Sequence, residues 1–413
     1  MTTDTSIKTT KHLIEGTVSH FANPRAGASN VYTDQHQSIL NLTNAEVAIR
    51  DIKKWPGYKA TPLLSLNALS DQAGFSRIWY KDESQRFALK SFKALGGAFA
   101  VARQLQAVLR EKIGQQVSID DLLLGMYSEH LADVTVSCAT DGNHGRSVAW
   151  GAQMFGCQCV IFIHSDVSEG RRLAMEQFGA EVIRIDGNYD ESVRTAAEQA
   201  KQYNRIIVSD TSYEGYMDIP KDVALGYTVM LAEIIEQLDG EIPTHVVVQG
   251  GVGGLAAAVC GYFWQYWQQE RPRFVVVEPE NANCLQQSAR AGRPVTVTGD
   301  LETMMAGLCC GEVSLLAWTI LASGADDFMT VSEETVPQTM QLLAKGVGED
   351  PAVEAGESAV AGLAAMVIAR KTSDFANQLN LNSDSKILVL GTEGATDPEL
   401  YHQLVTSQIN ESS

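Results

Sequence analysis

The sequence predicts an α/β protein with two interleaved domains, each an open, mostly parallel sheet with helices on both faces. A chain of 413 residues is too long for one small core, which favours two domains. Between 134 and 210, short apolar runs alternate with segments whose apolar residues recur every three or four positions, as in strand–helix units. No internal repeat or low-complexity linker is present, which favours interleaved domains over domains joined end to end.

The predicted boundaries divide the chain into an arm and two domains. Residues 1–45 carry few periodic signals, so they are predicted to form an N-terminal arm that lies across the main body or a partner subunit. Residues 46–97 and 221–413 form the larger predicted domain. Residues 98–220 form the smaller domain, which is inserted into the larger one.

Seven alternating segments predict the elements of the smaller domain. Strands are expected at VTVSCA, CQCVIFIH, EVIRIDG and RIIVSD, and helices at GNHGRSVAWGAQMFG, EGRRLAMEQFGA and YDESVRTAAEQAKQY. Right-handed crossovers place these strands in one sheet.

The larger domain is predicted from the flanking segments. A strand ends at Tyr80, and a helix follows from Ala94 to about Lys112. Further along, the pattern predicts the helix ALGYTVMLAEIIEQL, the strand THVVVQ, the helix GLAAAVCGYFWQYWQQ, the strand FVVVEPE, the helix GESAVAGLAAMVIARK and the strand KILVLGT.

Composition and charge restrict the partners of this protein. A net charge of −19 makes the surface repel nucleic acid and anionic membranes. The N-terminal residues lack the apolar region of a signal peptide, and no later apolar run is long enough to span a membrane. These features predict a cytoplasmic protein without nucleic-acid or membrane partners. The seven cysteines form no CxxC pair, so no metal site is predicted.

Lys93 lies at the predicted turn between the strand ending at Tyr80 and the following helix. The positive end of the helix dipole and burial both disfavour the ammonium form of a lysine side chain. A neutral, fixed amine is what a Schiff base with an aldehyde cofactor requires. The alternative is an ordinary lysine in the first turn of a helix.

The turn after THVVVQ predicts a phosphate site. Backbone N–H groups at a glycine-rich helix N-terminus can approach an anion closely. The residues of this turn are Gly250, Gly251, Val252, Gly253 and Gly254. Gly251-x-Gly253-x-x-Ala256 also satisfies a dinucleotide fingerprint, with Glu278 as either the ribose-binding acid or a solvated carboxylate. However, this fingerprint does not open a nucleotide domain, and the lysine turn has no role in hydride transfer.

Four motifs in chain order carry a resemblance to a known family. They are SFK at 91–93 with Gly96-Gly97 behind it, DGNHG at 141–145, the glycine turn, and GTEG at 391–394. This order resembles the fold-type II pyridoxal-phosphate enzymes, the group of threonine and serine dehydratases. More narrowly, FALKSFKALGGA, TDGNHGRSVAW, MAGLCCGE, GESAVAGL and GTEGATD are similar to the diaminopropionate ammonia-lyase family, over about Tyr58 to Asp397.

The resemblance implies a fold like that of the tryptophan synthase β subunit, a homodimer, and pyridoxal phosphate bound to Lys93 and the glycine turn. It also implies that Asn143 donates to the ring hydroxyl and that the Thr392 hydroxyl faces the pyridine nitrogen. Asp210, in a D-T-x-x-E-G-Y run, is implied at the active site. Cys284 and Cys310 follow two family-like segments, so both a close approach and a disulfide stay open.

Asp141 departs from the dehydratases, which usually carry a small residue at this place. Its carboxylate could bind an ammonium on the β-carbon of the substrate or remove the α-proton from one face. It fits equally well as a helix N-cap that accepts from backbone amides.

The function that follows from the resemblance is α,β-elimination of 2,3-diaminopropionate, in both isomers, to pyruvate and two ammonia. Lys93 would remove the α-proton of the L-isomer and Asp141 that of the D-isomer. A serine or threonine dehydratase is the alternative with the same cofactor. A nucleotide-dependent dehydrogenase and a non-catalytic ligand-binding protein are the alternatives from other classes.

Overall fold

The computed structural model describes residues 13–27, 30–140, 142–187 and 189–407. Its strands form one seven-stranded and one four-stranded sheet. The strands are β1 Val18–Ala22, β2 Leu63–Ser65, β3 Arg77–Asp82, β4 Thr135–Ala139, β5 Gln158–Ile163, β6 Glu181–Arg184, β7 Ile206–Ile207, β8 His245–Gln249, β9 Arg273–Pro279, β10 Asp327–Val331 and β11 Lys386–Gly391.

Helices connect most of these strands. They are α1 Asp34–Gln37, α2 Leu42–Ile52, α3 Asn67–Ala73, α4 Lys93–Ile113, α5 Ile119–Leu123, α6 Ser128–Leu131, α7 Asn143–Phe155, α8 Glu169–Glu176, α9 Tyr189–Tyr203, α10 Asp218–Leu238, α11 Gly254–Trp267, α12 Cys284–Ala291, α13 Leu315–Gly324, α14 Thr335–Lys345, α15 Ala361–Lys371, α16 Ser373–Leu379 and α17 Pro398–Thr406. Across the described ranges, no helix combines the length and apolar content needed to cross a bilayer.

The larger sheet has the order β1-β10-β9-β8-β11-β3-β2. Its five inner strands pair in parallel, whereas β1 and β2 are antiparallel edge strands. Successive residues of a strand point to opposite faces of the sheet. Helices cover both faces, so both are buried. Val246, Val276 and Leu388 pack with α4, α10 and α11 on one face, and Val247, Val275 and Val389 pack with α14 and α15 on the other. The predicted mixed α/β architecture with a mostly parallel sheet is confirmed.

The smaller sheet has the order β6-β5-β4-β7 and is parallel throughout. Val136 and Ile161 pack toward α7, and Val160 and Phe162 pack toward α9 on the other face. All four strands lie inside the segment 98–220, which supports the proposed inserted domain. Helix α4 runs without interruption across the proposed boundary at 97.

Residues 18–22 form a strand, whereas the sequence predicted loop structure in the N-terminal arm. Strand β1 pairs with β10 from Val18–Val331 to Ala22–Asp327 and extends the larger sheet. The segment is too short to show a strand pattern by itself, and its partner lies more than three hundred residues away. Its conformation therefore depends on the edge that β10 offers.

Close packing of small residues positions the start of α4. A Cβ atom at Gly96 would lie 2.4 Å from the ring of Tyr227 on α10. On the facing helix, a Cβ at Gly226 would lie 2.6 Å from the carbonyl oxygen of Leu95. The two backbones therefore approach each other one turn after Lys93, which brings Lys93 next to residues of α10.

A buried ionic network ties the turn before Lys93 to α10. Lys81, Glu83, Arg86 and Glu233 are at most 1% exposed. The Lys81 ammonium donates to Glu233 at 2.8 Å, and the Arg86 guanidinium donates to Glu233 at 2.7 Å and to Glu83 at 2.8 Å. The two cations and two carboxylates neutralise each other within the core.

Replacing Glu233 by alanine is expected to lower the free energy of unfolding by about 3–5 kcal/mol, because it leaves two cations facing one buried carboxylate. Urea unfolding followed by circular dichroism measures this loss. Glu236→Ala is the matched control on the same helix, since Glu236 is 64% exposed in its pair with Lys53. The control should change stability by less than about 1 kcal/mol. Equal losses in both variants would contradict a special role of the buried network.

Candidate active site

The predicted site residues lie at the carboxyl ends of strands from both sheets, where sites of α/β proteins gather. Lys93 begins α4 after β3, and Asn143 begins α7 after β4. Asp210 follows β7, the glycine turn joins β8 to α11, and Thr392 follows β11. A Cβ at Gly254 would lie 3.3 Å from the Asp210 carbonyl oxygen, and the Phe92 N–H donates to the Thr392 carbonyl at 3.0 Å. The structure therefore brings these residues together.

The side chains of Lys93 and Asp210 form an ion pair at this place. They are 22% and 19% exposed, so a small molecule can reach them. Burial disfavours the ammonium, but the Asp210 carboxylate outweighs burial and raises the pKa of Lys93 above its ordinary value. Burial opposes ionisation of Asp210 as well, and the Lys93 charge holds the pKa of that carboxyl well below its usual range.

The expectation of a neutral Lys93 amine is wrong for the free side chain. The helix dipole and burial both act as predicted, but neither is as strong as a carboxylate in direct contact. Any chemistry that needs the neutral Lys93 amine would therefore require loss of a proton that Asp210 helps to retain.

Two further polar groups lie near this ion pair. The Tyr227 hydroxyl and the His144 Nδ1 are buried and have no hydrogen-bond partner among the described residues. Both side chains are close enough to Lys93 for its positive charge to act on them. The His144 Nε2–H donates to the Val208 carbonyl at 2.8 Å, and burial lowers the pKa of the imidazole, which indicates a neutral ring in a packing role.

The glycine turn has the geometry of an anion site. Gly253 has a φ of +96°, and a Cβ there would also lie 3.0 Å from the Leu285 side chain. A residue with a side chain would be strained in this conformation. Helix α11 begins at the next residue, so its free backbone N–H groups and dipole favour an anion at this turn.

Glu278 is neither a solvated carboxylate nor free to bind a ribose. It is fully buried and accepts from the backbone N–H groups of Leu285 at 2.7 Å and Gln286 at 2.8 Å. Its side chain thus caps the N-terminus of α12. This arrangement removes the acid on which the dinucleotide interpretation depended.

Thr392 and Asn143 have partners that the sequence did not indicate. The Thr392 hydroxyl accepts from the Gln249 amide at 3.3 Å and is 4% exposed. The Asn143 amide donates to Glu393 Oε2 at 2.5 Å. Glu393 is a buried acid that directly follows Thr392, and a glutamate between the glycines of GTEG was the signal that could have drawn attention to it.

Two expectations about this region have different outcomes. Asp141 lies outside the described residues, so its roles remain predictions from the sequence. Cys284 and Cys310 both lie near Gly251: the Cys284 thiol is 3.6 Å from its carbonyl oxygen, and a Cβ at Gly251 would lie 3.2 Å from the Cys310 sulfur. Both cysteines are within the described part of the chain, and no disulfide joins them there.

The arrangement can hold an aldehyde and a phosphate of one small molecule, since a lysine and an anion-binding turn meet at Asp210. A comparison with family models decides which molecule this is. Residues 54–393 match the family described as pyridoxal-phosphate dependent enzyme. The chain belongs to this family.

Close homologues of this pyridoxal-phosphate enzyme are diaminopropionate ammonia-lyases. The protein of that name from Escherichia coli (strain K12) is 36% identical over 384 residues, which are 91% of this chain and 94% of the relative. The Salmonella typhimurium (strain LT2) protein is 37% identical over 377 residues, covering 89% of this chain and 93% of the relative.

Solved structures agree with these sequence relationships. The crystal structure of the Escherichia coli lyase in complex with an aminoacrylate-PLP azomethine reaction intermediate has a TM-score of 0.85 and 34% identity, covering 95% of this chain and 98% of that one. Threonine deaminase isoform 2 from Solanum lycopersicum has a TM-score of 0.70 at 19% identity, covering 94% and 96%, and shows the shared fold alone. The predicted resemblance to fold-type II pyridoxal-phosphate enzymes is confirmed.

The residues present fit pyridoxal phosphate. Lys93 is accessible, the glycine turn offers free N–H groups at a helix start, and Thr392 follows the strand beside the one that precedes this turn. Among the described residues, the buried Tyr227 hydroxyl and His144 Nδ1 have no hydrogen-bond partner, which fits a site that receives a polar ligand.

Proposed function

We propose that this protein eliminates the β-amino group of 2,3-diaminopropionate, from both the D- and the L-isomer, and yields pyruvate and two ammonia. The observation that carries the proposal is the ion pair of Lys93 with Asp210 beside the glycine turn. An ammonium group lies against a carboxylate at the place where the substrate must bring its own ammonium. The 36% identity to an ammonia-lyase, over 91% of this chain, supports the same substrate.

The cofactor is held by groups from both sheets. Lys93 would bind its aldehyde carbon, Gly250–Gly254 would hold its phosphate, Asn143 would donate to its ring hydroxyl, and the Thr392 hydroxyl would face its pyridine nitrogen. Pyridoxal phosphate supplies an electron sink for negative charge on the substrate α-carbon. The Thr392 hydroxyl could not keep the pyridine nitrogen protonated as a carboxylate would, so the electron sink would be weaker and the site would favour prompt loss of the β-group.

Proton transfer is assigned to Lys93 and Asp141. The Lys93 amine removes the α-proton of the L-isomer, and Asp141 removes that of the D-isomer, which points to the opposite face. A neutral amine leaves more easily than an amide ion, so the β-nitrogen must stay protonated as it departs. The low pKa of Asp210 makes it an ionised partner of ammonium groups rather than a proton donor. Asp210 thus stabilises the positive charge of the ammonium groups, and Lys93 accepts the α-proton.

Purified protein reconstituted with pyridoxal phosphate should form pyruvate from both isomers of 2,3-diaminopropionate. Pyruvate and ammonia are measured together, because the proposed reaction releases two ammonia per pyruvate, whereas serine releases one. L-Serine at the same concentration is the control and should react more slowly. Faster turnover of serine than of either diaminopropionate isomer would instead establish a dehydratase.

We further propose a homodimer in the cytoplasm, as the resemblance implies. One chain has a mass of 44.8 kDa, and light scattering should give twice this value. The small amino acid is the partner expected, with no nucleic acid and no membrane.

A further inference from the structure

A buried acidic cluster lies next to Asn143 and Thr392. Glu357 and Glu393 are 2% and 5% exposed. The Arg171 guanidinium donates to Glu357 at 3.1 Å and lies 3.9 Å from the Asp397 carboxylate. One guanidinium thus faces several carboxyl groups. Nothing proposed above for the reaction uses this cluster.

Glu393 is held on both of its oxygens. Its Oε1 accepts from the Ser358 backbone N–H at 3.1 Å, and its Oε2 accepts from the Asn143 amide at 2.5 Å. Burial raises the pKa of Glu393, and Arg171 and these two donors act in the opposite direction. The carboxyl group therefore has one fixed orientation, set by a backbone amide on one side.

The contact of Glu393 with Asn143 joins the two sheets. Asn143 begins the helix that follows β4 of the smaller sheet, whereas Glu393 follows β11 of the larger sheet. Arg171 on α8 and Glu357, in the turn before α15, form a second link between the same parts. A side-chain amide has two N–H groups and one carbonyl oxygen. When one N–H is given to Glu393, the second N–H and the oxygen keep a defined direction.

We propose that Glu393 is a positioning residue, which orients the Asn143 amide for its hydrogen bond to the ring hydroxyl of pyridoxal phosphate. This inference rests on the role of Asn143 in the proposed function. It does not depend on which amino acid the enzyme consumes.

Glu393→Gln tests this inference in the purified holoenzyme without substrate. The glutamine amide turns an N–H group toward either Asn143 or Ser358, so one of the two hydrogen bonds is lost. The visible absorbance band of the bound cofactor should shift, and the affinity of the apo-protein for pyridoxal phosphate should fall by up to about tenfold, as for one lost hydrogen bond. Glu354→Gln is the control, since Glu354 bonds Lys90 and the Ala395 amide, and it should leave both readouts unchanged.

A double variant separates positioning from a structural role. In Asn143→Ala protein, adding Glu393→Gln should shift the band no further, because the residue through which Glu393 acts is already absent. Shifts of the same size in both backgrounds would overturn the proposal. So would an unchanged band in Glu393→Gln together with a lower unfolding temperature, since that pattern indicates a purely structural residue.

Glu393→Asp keeps the experiment informative if the glutamine variant does not fold. Aspartate retains the carboxyl group but is one methylene shorter, so it cannot reach Asn143 and should give the same shift. A wild-type band in this variant would contradict the proposal. Failure of the proposed function is told apart from these outcomes, because it would appear in the wild-type protein as the wrong substrate preference or as no cofactor band.

Discussion

Lys93→Ala protein is expected to lose the visible absorbance of covalently bound pyridoxal phosphate and nearly all turnover. Alanine removes the amine that binds the cofactor and the base that takes the α-proton of the L-isomer. Loss of a positioned acid–base group alone lowers rates by ~10²–10⁴, and loss of the covalent link adds to this. Absorbance spectra and pyruvate formation from L-2,3-diaminopropionate measure both effects.

Lys90→Ala is the matched control for this experiment. Lys90 lies three residues earlier, and its ammonium pairs with Glu354, with 39% of the side chain exposed. The control should keep the cofactor band and a turnover within a few-fold of the wild type. Turnover by the Lys93 variant at the level of the control would refute covalent binding of the cofactor through Lys93.

Local patterns were sufficient to predict the fold class and the turns that form the site. The strand ending near Tyr80, helix α4 and the glycine turn all have the predicted positions, because strong apolar periodicity and glycine-rich turns define them. The exact partners of the site were less predictable. Tyr227 lies within a helix of regular apolar spacing, where the sequence does not distinguish it from an ordinary core aromatic.

Electrostatics depend on contacts between distant segments, which explains the wrong expectation for Lys93. Its own neighbours in sequence indicate a helix dipole and burial, both of which lower the pKa of a lysine. The opposing carboxylate belongs to Asp210, 117 residues further along the chain. Glu278 shows the same limitation, since its role depends on the later helix α12 folding back onto its strand.

Asp210→Asn is expected to lower turnover of the L-isomer by ~10²–10³, as for the loss of one preorganised electrostatic contact, while preserving the shape of the site. Asparagine has the size of aspartate but lacks the charge that stabilises the Lys93 ammonium. Without that charge, burial becomes the dominant influence and the pKa of Lys93 should fall. Steady-state kinetics on both isomers measure this loss. The control is Asp218→Asn on α10, because the Asp218 side chain is 94% exposed.

The same substitution has a consequence for stability that does not require the cofactor. The folded-state pKa of Asp210 lies below its ordinary value of 3.8, so its ionised form stabilises the fold above pH 3.8. This contribution is lost as the pH falls below 3.8 toward the folded-state value. The apo-protein with Asp210→Asn should therefore be less stable than wild type at neutral pH, and the difference should shrink in acid. Urea midpoints that differ by the same amount at neutral and acidic pH would show that the ion pair with Lys93 is not the source of the depressed pKa.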